Sequence, residues 1–356
     1  MIRVRVPGSS YPVIVEAGLI GRVGAAIAPL KPSRVCIVTN EQVWSHWGPS
    51  VEKGLKGLRP TVIRIPDGEQ HKNLTTVEWI CEELVGERAD RDTLLVTLGG
   101  GVIGDIAGFV AAIYLRGIDY IHIPTTLLAQ VDSSVGGKTG VNLRGGKNLA
   151  GAFHHPKMVL VDPKVIATLP DRELRAGLFE AVKCGVIKSR SLFDFLEKKR
   201  ASVLGRSLPA LQRVIHDCLA IKARVVMADE HEDGIRRILN FGHTIGHALE
   251  AETQYRHFLH GEAVAWGMRA ATHIAEERKM IRASEAARIY DLISAYGPIP
   301  ALPALDPANI SARLLSDKKT RHGVVHFVLP SKIGVVKVVS GIPTAIVEET
   351  GRWLAA

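Results

Sequence analysis

The amino-acid sequence predicts an α/β domain with a parallel sheet, followed by a mostly α-helical domain. In the first half, short β-branched runs alternate with helical stretches, which is typical of a parallel sheet covered by helices. From about Asp171 onward long helical periodicity dominates, and Pro170 is a natural boundary because the residue before a proline avoids the α-helical region. The length of 356 residues suits two domains of about 100–200 residues each. We therefore expect domains at residues 1–170 and 171–356.

The expected elements follow that order along the chain. Ile2, Val4 and Val6 alternate with arginines, which is the period of a strand. Further strands are expected at residues 35–39, 62–65, 94–98, 120–123 and 158–161. Helices are expected at residues 173–188, 208–227, 243–251 and 261–279, and a closing hairpin at residues 324–329 and 334–339. Several strands end at Gly, Pro or Asn, where open α/β sheets tend to bind ligands.

Charge and composition narrow the classes of function. The net charge is +9, but Lys and Arg are scattered along the chain, so a basic pocket for an anionic substrate is favoured over nucleic-acid binding. The four cysteines are far apart and lack C-x-x-C spacing, which argues against disulfides or a thiolate metal site and favours a reducing, cytoplasmic compartment. Residues 93–115 are almost uncharged, but their glycines and Asp105 predict a buried strand, turn and helix rather than a membrane span.

A glycine-rich turn follows the expected strand at residues 94–98. Gly99, Gly101 and Gly104 satisfy G-x-G-x-x-G and open a helix whose first amides could hold a pyrophosphate. The acid that usually binds ribose after the next strand is missing, since residues 124–126 are Pro, Thr and Thr. The turn is therefore not a standard dinucleotide fingerprint, and glycines that only permit a tight turn are the alternative.

Two polar loops add candidate ligand-binding groups. Residues 66–72 place the Glu69 carboxylate and the Lys72 ammonium three residues apart, a pair that could grip ribose hydroxyls and a phosphate, or form a solvated turn. Residues 125–148 are too polar and glycine-rich for a core element, and we expect a loop that wraps an anion. The charged and amide side chains of that second loop are Asp132, Lys138, Lys147 and Asn148.

Histidines in the helical half suggest a metal site. His243 and His247 stand at i and i+4, so both imidazoles project from one helical face, with Glu250 on the same side. Thr244 occupies the position of the glutamate in an H-E-x-x-H motif, which disfavours a metalloprotease. From these residues alone, one capping and one packed histidine would be an equally ordinary arrangement.

A third histidine and a carboxylate favour the metal over that alternative. His260 again lies at the start of a helix, and Glu180 lies on an earlier helix three residues before Lys183. Two neutral imidazoles and one carboxylate leave an open coordination position, as in catalytic zinc sites. Lys183, on the same face as Glu180, could then meet a substrate beside the metal.

With these residues in place, the chain resembles the 3-dehydroquinate synthase family over nearly its full length. Seven motifs carry the resemblance, in the family's order: PDGEQHK, LGGGVIGDIAGFVAA, IPTTLLAQVDSSVGGKTGVN, GKNLAGAFHHP, GLFEAVKCG, LNFGHTIGHALE and HGEAV. The resemblance implies a Rossmann-like nucleotide-binding domain and a helical metal and substrate domain. It also implies a tightly held NAD, a divalent metal (zinc or cobalt) and a cytoplasmic homodimer.

The resemblance assigns roles by motif position. The metal ligands would be Glu180, His243 and His260. NAD would be bound by Asn40, Asp67, Glu69, Lys72, Gly100, Gly101, Val102, Asp105, Thr125, Thr126, Lys138 and Lys147. Substrate would be bound by Arg116, Asp132, Lys138, Lys147, Asn148, Lys183, Lys222, Arg236, Asn240, His247, Lys318 and Lys319. The catalytic groups among these would be Lys138, Lys183, Arg236, Asn240 and His247.

The implied reaction converts 3-deoxy-D-arabino-heptulosonate 7-phosphate into 3-dehydroquinate and phosphate. One departure is Asn40, where many relatives have an aspartate, although an amide can still hydrogen-bond a ribose hydroxyl. The alternatives are another sugar-phosphate cyclase, a metal-dependent polyol dehydrogenase that releases NADH, and a non-catalytic binding protein. The GGKTGVN segment, the second histidine of GHTIGH and Arg236 favour the first assignment over a related cyclase.

Overall fold

The computed structural model describes residues 1–55, 57–303, 313 and 325–355. It divides into two compact units. The first comprises Met1–Leu169 and Leu211–Met227, and the second comprises Pro170–Ala210 and Ala228–Ala356. A stretch of the second half thus belongs with the first unit, and the two-domain division at residue 170 remains a prediction.

A seven-stranded sheet forms the first unit. Its strands run in the order β1-β2-β9-β6-β5-β3-β4, and every neighbouring pair is parallel except β1 and β2 at one edge. The strands are β1 Ile2–Val6, β2 Ser9–Val15, β3 Val35–Thr39, β4 Thr61–Arg64, β5 Leu94–Gly99, β6 Asp119–Pro124, β7 Lys138–Leu143, β8 Gly146–Phe153 and β9 Met158–Val161, of which β7 and β8 form a separate hairpin. The predicted parallel α/β architecture is confirmed.

The central strands of the sheet are buried along their whole length. Every residue of β3, β5 and β9 is buried, as expected for strands covered on both faces. The helices are α1 Val23–Ile27, α2 Glu41–Gly54, α3 Leu74–Gly86 and α4 Gly101–Ile113. Leu84 of α3 and Ile106 of α4 join Leu95 in one hydrophobic core.

The strand order reverses between β3 and β5. From β3 the chain passes to β4 at the edge, then returns to β5 and continues through β6 to β9 in the opposite direction. Ligands of open α/β sheets bind beyond the carboxyl ends of the strands at such a reversal. The residues that follow β3 and β5, Asn40 and Gly100, are therefore at the favoured place for a ligand.

The structure corrects one expectation for residues 125–148. We expected a loop outside the core, but Ala129–Ser133 form a π-helical turn, and the stretch ends in β7 and the start of β8. Thr139 and Val141 of β7 are buried against α4. Gly108 of α4 permits this contact, because a Cβ atom there would lie 2.6 Å from Thr139 Cγ2. The glycines allow close strand and helix packing, which the polar composition concealed.

The second unit is mainly helical, as predicted. Its helices are α5 Asp171–Lys188, α6 Arg190–Lys198, α7 Arg200–Leu204, α9 His243–Glu252, α10 His260–Glu277, α11 Ala283–Tyr296 and α12 Thr344–Ala355, while α8 Leu208–Ala228 contains the stretch that belongs to the first unit. The predicted closing hairpin is confirmed as β10 His326–Lys332 and β11 Val335–Ser340. Among the described helices, none has the length and apolar character needed to cross a bilayer.

Candidate metal centre and nucleotide-binding turn

Three helices of the second unit bring together one carboxylate and two imidazoles. Glu180 lies on α5, while His243 and His260 begin α9 and α10. Glu180 is fully buried, and its Oε1 atom lies 3.7 Å from His243 Nε2 and 3.8 Å from His260 Nε2. Donor atoms that each bind one zinc ion at about 2.0–2.2 Å lie about 3–4 Å from one another. The three side chains therefore have the spacing of ligands to one divalent ion.

Glycines allow the helices to approach this closely. A Cβ atom on Gly261 would lie 1.9 Å from the carbonyl oxygen of Ala176, which places the start of α10 directly against α5. A Cβ atom on Gly246 would lie 2.9 Å from the carbonyl oxygen of Ala263, so α9 and α10 also meet through their backbones. A side chain at either glycine would separate the helices that carry Glu180 and the imidazoles.

Hydrogen bonds orient both imidazoles toward Glu180. The Nδ1 atom of His243 lies 3.2 Å from the backbone oxygen of Phe241, and the Nδ1 atom of His260 lies 3.2 Å from Oε2 of Glu250. A carbonyl or carboxylate oxygen accepts a hydrogen bond, so each Nδ1 carries the proton. Each Nε2 atom then presents a lone pair on the Glu180 side, which is the tautomer that a metal requires.

His247, predicted to face the substrate, lies in the same cluster. The donor nitrogens of His243, His247 and His260 all lie within 4.8 Å of one another, so the cluster offers a further imidazole beside the two proposed ligands. Neither carboxylate oxygen of Glu180 accepts a hydrogen bond from a described residue, although both are buried and the Lys183 ammonium forms an ion pair with Oε2. A buried carboxylate that lies beside imidazoles and accepts no hydrogen bond on either oxygen fits a divalent ion, because carboxylate and imidazole groups are zinc ligands.

Further predicted substrate residues belong to the second unit. Lys183 is buried and reaches Glu180, while Arg236 is buried and donates to the backbone oxygen of Glu230. The Asn240 amide donates to a carboxylate oxygen of Glu232. Sequence reasoning missed Glu232, and the acidic run at residues 229–233 just before Arg236 was the available signal.

In the first unit, the predicted NAD-binding residues follow neighbouring strands. Asn40 follows β3, Asp67 lies beyond β4, Gly100 follows β5 and Thr125 follows β6. The Asn40 side chain accepts from Val43 N at 2.8 Å, which caps α2, and donates to Asp67 Oδ1 at 2.8 Å. The amide at Asn40 thus holds the Asp67 carboxylate, which an aspartate at the same position would repel.

The glycine-rich turn brings α4 close to the sheet. A Cβ atom on Gly104 would lie 2.2 Å from the buried His122 ring on β6, and one on Gly100 would lie 2.9 Å from Thr126 Cγ2. Val102 lies in the first turn of α4, where backbone amides are open to an anion. The turn therefore has the close backbone approach that a pyrophosphate site requires.

A buried lysine joins three segments near this turn. The Nζ atom of Lys72 lies 2.5 Å from Asp105 Oδ2 and 2.6 Å from Asn148 Oδ1. Burial raises the pKa of Asp105 above its ordinary value, and the Lys72 ammonium opposes that rise. Glu69 accepts from the Asn142 amide at 2.8 Å. The 66–72 loop is therefore fixed to α4 and to the β7–β8 hairpin, rather than being a solvated turn.

A second lysine reaches the π-helical turn. Lys222 Nζ lies 2.7 Å from both the backbone oxygen and Oδ1 of Asp132. Lys147 Nζ lies 3.9 Å from Glu69 Oε1. The structure thus links Asp132 to Lys222 and Lys147 to the loop that contains Glu69.

Two other predicted residues are exposed. Lys138 is exposed at the start of β7. Arg116 is exposed beyond the far end of α4, with φ of 68°, and the 13-residue helix separates it by about 20 Å from the glycine-rich turn. Lys318 and Lys319 lie outside the described residues.

Two family profiles match the chain. Residues 62–176 match the 3-dehydroquinate synthase N-terminal family, and residues 177–320 match the 3-dehydroquinate synthase C-terminal family. The chain is 49% identical to the 3-dehydroquinate synthase of Solibacter usitatus, with 98% of each chain covered. It is 48% identical to that of Koribacter versatilis, with 95% of this chain and 94% of the relative covered.

Solved structures of related cyclases share the fold. A 2-epi-5-epi-valiolone synthase from Streptomyces hygroscopicus, with NAD⁺ and Zn²⁺ bound, superposes with a TM-score of 0.87 at 31% identity, covering 99% and 98% of the two chains. A 2-deoxy-scyllo-inosose synthase complexed with carbaglucose-6-phosphate, NAD⁺ and Co²⁺ superposes with a TM-score of 0.90 at 28% identity, covering 99% of both chains.

Proposed function

The chain belongs to the 3-dehydroquinate synthase family, and on that premise we propose which residues bind the metal, NAD and the substrate and which act in the reaction. It is a 3-dehydroquinate synthase, which acts in the shikimate pathway. The substrate, 3-deoxy-D-arabino-heptulosonate 7-phosphate, is oxidised transiently by NAD, loses phosphate, is reduced again and closes by an intramolecular aldol step. Phosphate leaves by elimination, so the enzyme is a carbon–oxygen lyase.

In the second unit, Glu180, His243 and His260 would hold a divalent ion, zinc or cobalt. When bound, that ion supplies a Lewis acid for the hydroxyl that is oxidised. The observation that supports this assignment most is the convergence of both Nε2 atoms on the buried Glu180 carboxylate, within 3.8 Å. Lys183 is already held beside Glu180 by their ion pair, where its ammonium would neutralise charge on the substrate.

Other groups of the second unit would bind the anionic part of the substrate, orient a hydroxyl and transfer protons. Arg236 is buried and its guanidinium is fixed by the Glu230 carbonyl, so it is preorganised to bind an anionic group. The Asn240 amide would orient a substrate hydroxyl. His247 is the candidate proton carrier because an imidazole titrates near neutral pH, and the substrate's own phosphate is the alternative base.

The first unit would hold NAD at the reversal of strand order. The amides of the first turn of α4 would bind its pyrophosphate, and the Asp67 carboxylate held by Asn40 would accept from ribose hydroxyls. NAD supplies the hydride acceptor and is regenerated within each turnover. The Lys72 ammonium donates to both Asp105 and Asn148, and these hydrogen bonds would position the 66–72 loop against α4 and β8.

Phosphate release tests the proposal. Purified protein supplied with NAD and the heptulosonate phosphate should release one phosphate per 3-dehydroquinate formed, and a chelator should stop the release until zinc or cobalt is restored. His260→Ala should lose bound metal and activity together. His216→Ala is the matched control, because His216 is exposed on α8 and belongs to the first unit, whereas the proposed ligands belong to the second.

A polyol dehydrogenase would give a different result. NADH would accumulate in solution with glycerol, and no phosphate would leave the heptulosonate phosphate. Unchanged metal content and unchanged phosphate release in His260→Ala would contradict the proposed ligand set.

We further propose that the enzyme is a cytoplasmic homodimer. The four cysteines, Cys36, Cys81, Cys184 and Cys218, form no disulfide, which suits a reducing compartment. The homodimer rests on analogy with the family. Light scattering on the eluting protein should give twice the chain mass of 38.6 kDa, and a monomer mass would contradict it.

A further inference from the structure

A buried carboxylate lies behind one of the proposed metal ligands. Glu250, on α9, is 2% exposed, and its Oε2 atom lies 3.2 Å from the Nδ1 atom of His260 on α10. Burying a carboxylate costs free energy unless a hydrogen-bond donor partners it, so Glu250 needs a donor among its contacts. The His260 ring supplies that contact through the nitrogen that faces away from Glu180.

The carboxylate of Glu262, two residues after His260, is bound to other groups. Glu262 binds Arg172 through both oxygens, at 2.7 and 2.8 Å, and accepts from Leu259 N at 2.8 Å. These bonds hold the first turn of α10 to α5 rather than to the His260 ring. Glu250 therefore supplies the carboxylate contact to Nδ1 of His260.

The two proposed imidazole ligands differ in how they are held. His243 has a neutral partner, the backbone oxygen of Phe241, and its side chain is only 10% exposed. His260 has the carboxylate as partner, and its side chain is 30% exposed. The more exposed ring has more freedom to rotate, so it gains more from a charged tether.

We propose that Glu250 is a positioning residue for the metal centre, an inference that rests on the proposed function. Its carboxylate holds the proton on Nδ1 of His260, fixes the ring so that Nε2 faces Glu180, and makes Nε2 a stronger electron-pair donor. In this role Glu250 acts through the His260 ring and not as a ligand of the ion.

Metal affinity, rather than activity, tests this role. Apo protein is titrated with Zn²⁺ against a chromophoric chelator, and the visible absorption of the Co²⁺-loaded protein is recorded. Loss of such a supporting partner costs about 10–100-fold in metal affinity. Glu250→Ala should reach the upper part of that range and Glu250→Gln the lower, because the amide still offers a neutral acceptor. Glu250→Asp should recover part of what Glu250→Ala loses, since it restores the charge.

A matched control lies two residues further along the same helix. Glu252 pairs with the exposed Arg313, with its Oε2 atom 3.1 Å from the Arg313 Nε atom, so Glu252→Gln should leave the affinity and the Co²⁺ spectrum unchanged. The Gln variants keep the side-chain shape, and circular dichroism verifies that both are folded.

The outcomes separate the two proposals. Wild-type protein that binds neither ion would overturn the proposed function. Wild-type protein that binds Zn²⁺ while Glu250→Gln and Glu250→Ala bind it with equal affinity and give the wild-type Co²⁺ spectrum would overturn the role of Glu250 alone.

Discussion

The nucleotide-binding turn of the first unit and the metal centre of the second are built from different parts of the chain. The turn is made largely by backbone, in strand ends and glycines such as Gly104, whose missing side chain lets α4 approach β6. The metal centre is made by side chains that three helices present to one point, with Glu180 between two imidazoles. The turn should therefore be broken by adding a methyl group, and the metal centre by removing a charge.

The largest effect is expected from Glu180→Gln. The substitution keeps the size of the side chain but removes the buried negative charge, so zinc affinity should fall more than 100-fold, or about 3 kcal/mol. Zinc should raise the thermal midpoint of the wild type and not that of the variant, because only a bound ion stabilises the folded state. NAD affinity, measured by calorimetry, should be unchanged.

The control for this variant is Glu197→Gln, which removes a carboxylate of the same unit that pairs with Arg288. It should retain zinc. If Glu180→Gln kept wild-type zinc affinity, or if Glu197→Gln lost as much, the charge of Glu180 would not be what defines the centre.

The difference between the two regions also explains how much could be predicted from the sequence. The fully buried strands β3, β5 and β9 were predictable within a residue or two, because short β-branched runs between glycines and prolines rarely form anything else. The β7–β8 hairpin was not, because its packing depends on glycines such as Gly108 that carry no apolar side chain. The antiparallel partner of the first strand, β2, was missed for a similar reason, since Ser9, Ser10 and Pro12 weaken its strand pattern.

The metal cluster shows a different limit. The spacing of His243 and His247 placed two imidazoles on one helical face, but sequence spacing could not show that Glu180 on another helix lies beside His243. Residue types suggested Glu180 as a ligand, and the resemblance to a known family assigned it that role. The contact from Glu250 to His260 was beyond both, because it depends on how the α9 and α10 helices pack.

Gly104→Ala tests whether the first unit depends on backbone approach. The added Cβ atom would lie 2.2 Å from the His122 ring, in a core that has no space for it, so unfolding should become easier by about 2–3 kcal/mol. NAD affinity should fall with it, while zinc affinity should stay at the wild-type value. Denaturant unfolding and the two binding measurements provide the check.

Gly86→Ala is the matched control, since Gly86 ends α3 and a Cβ atom there would meet nothing within 4 Å. That substitution should be neutral or slightly stabilising. A Gly104→Ala protein as stable as Gly86→Ala, with wild-type NAD affinity, would show that close approach at this turn is not required.

The smallest effect concerns the loss of stability of the first unit at acidic pH. We expect this loss to come from the burial of a histidine and not from the metal centre. His122 is 5% exposed, and burial lowers its pKa to about 4 from the ordinary value of 6.5. The folded state therefore holds the neutral ring, a contribution that is complete above pH 6.5 and is lost as the pH falls toward 4. Between pH 8 and 5.5 the free energy of unfolding should fall by about 1 kcal/mol through this group.

His122→Gln should remove that part of the pH dependence of the free energy of unfolding, whereas His216→Gln, at an exposed position, should keep it. Amide exchange in β6 would locate the effect in the first unit, and identical slopes for wild type and His122→Gln would assign the acid sensitivity to other groups.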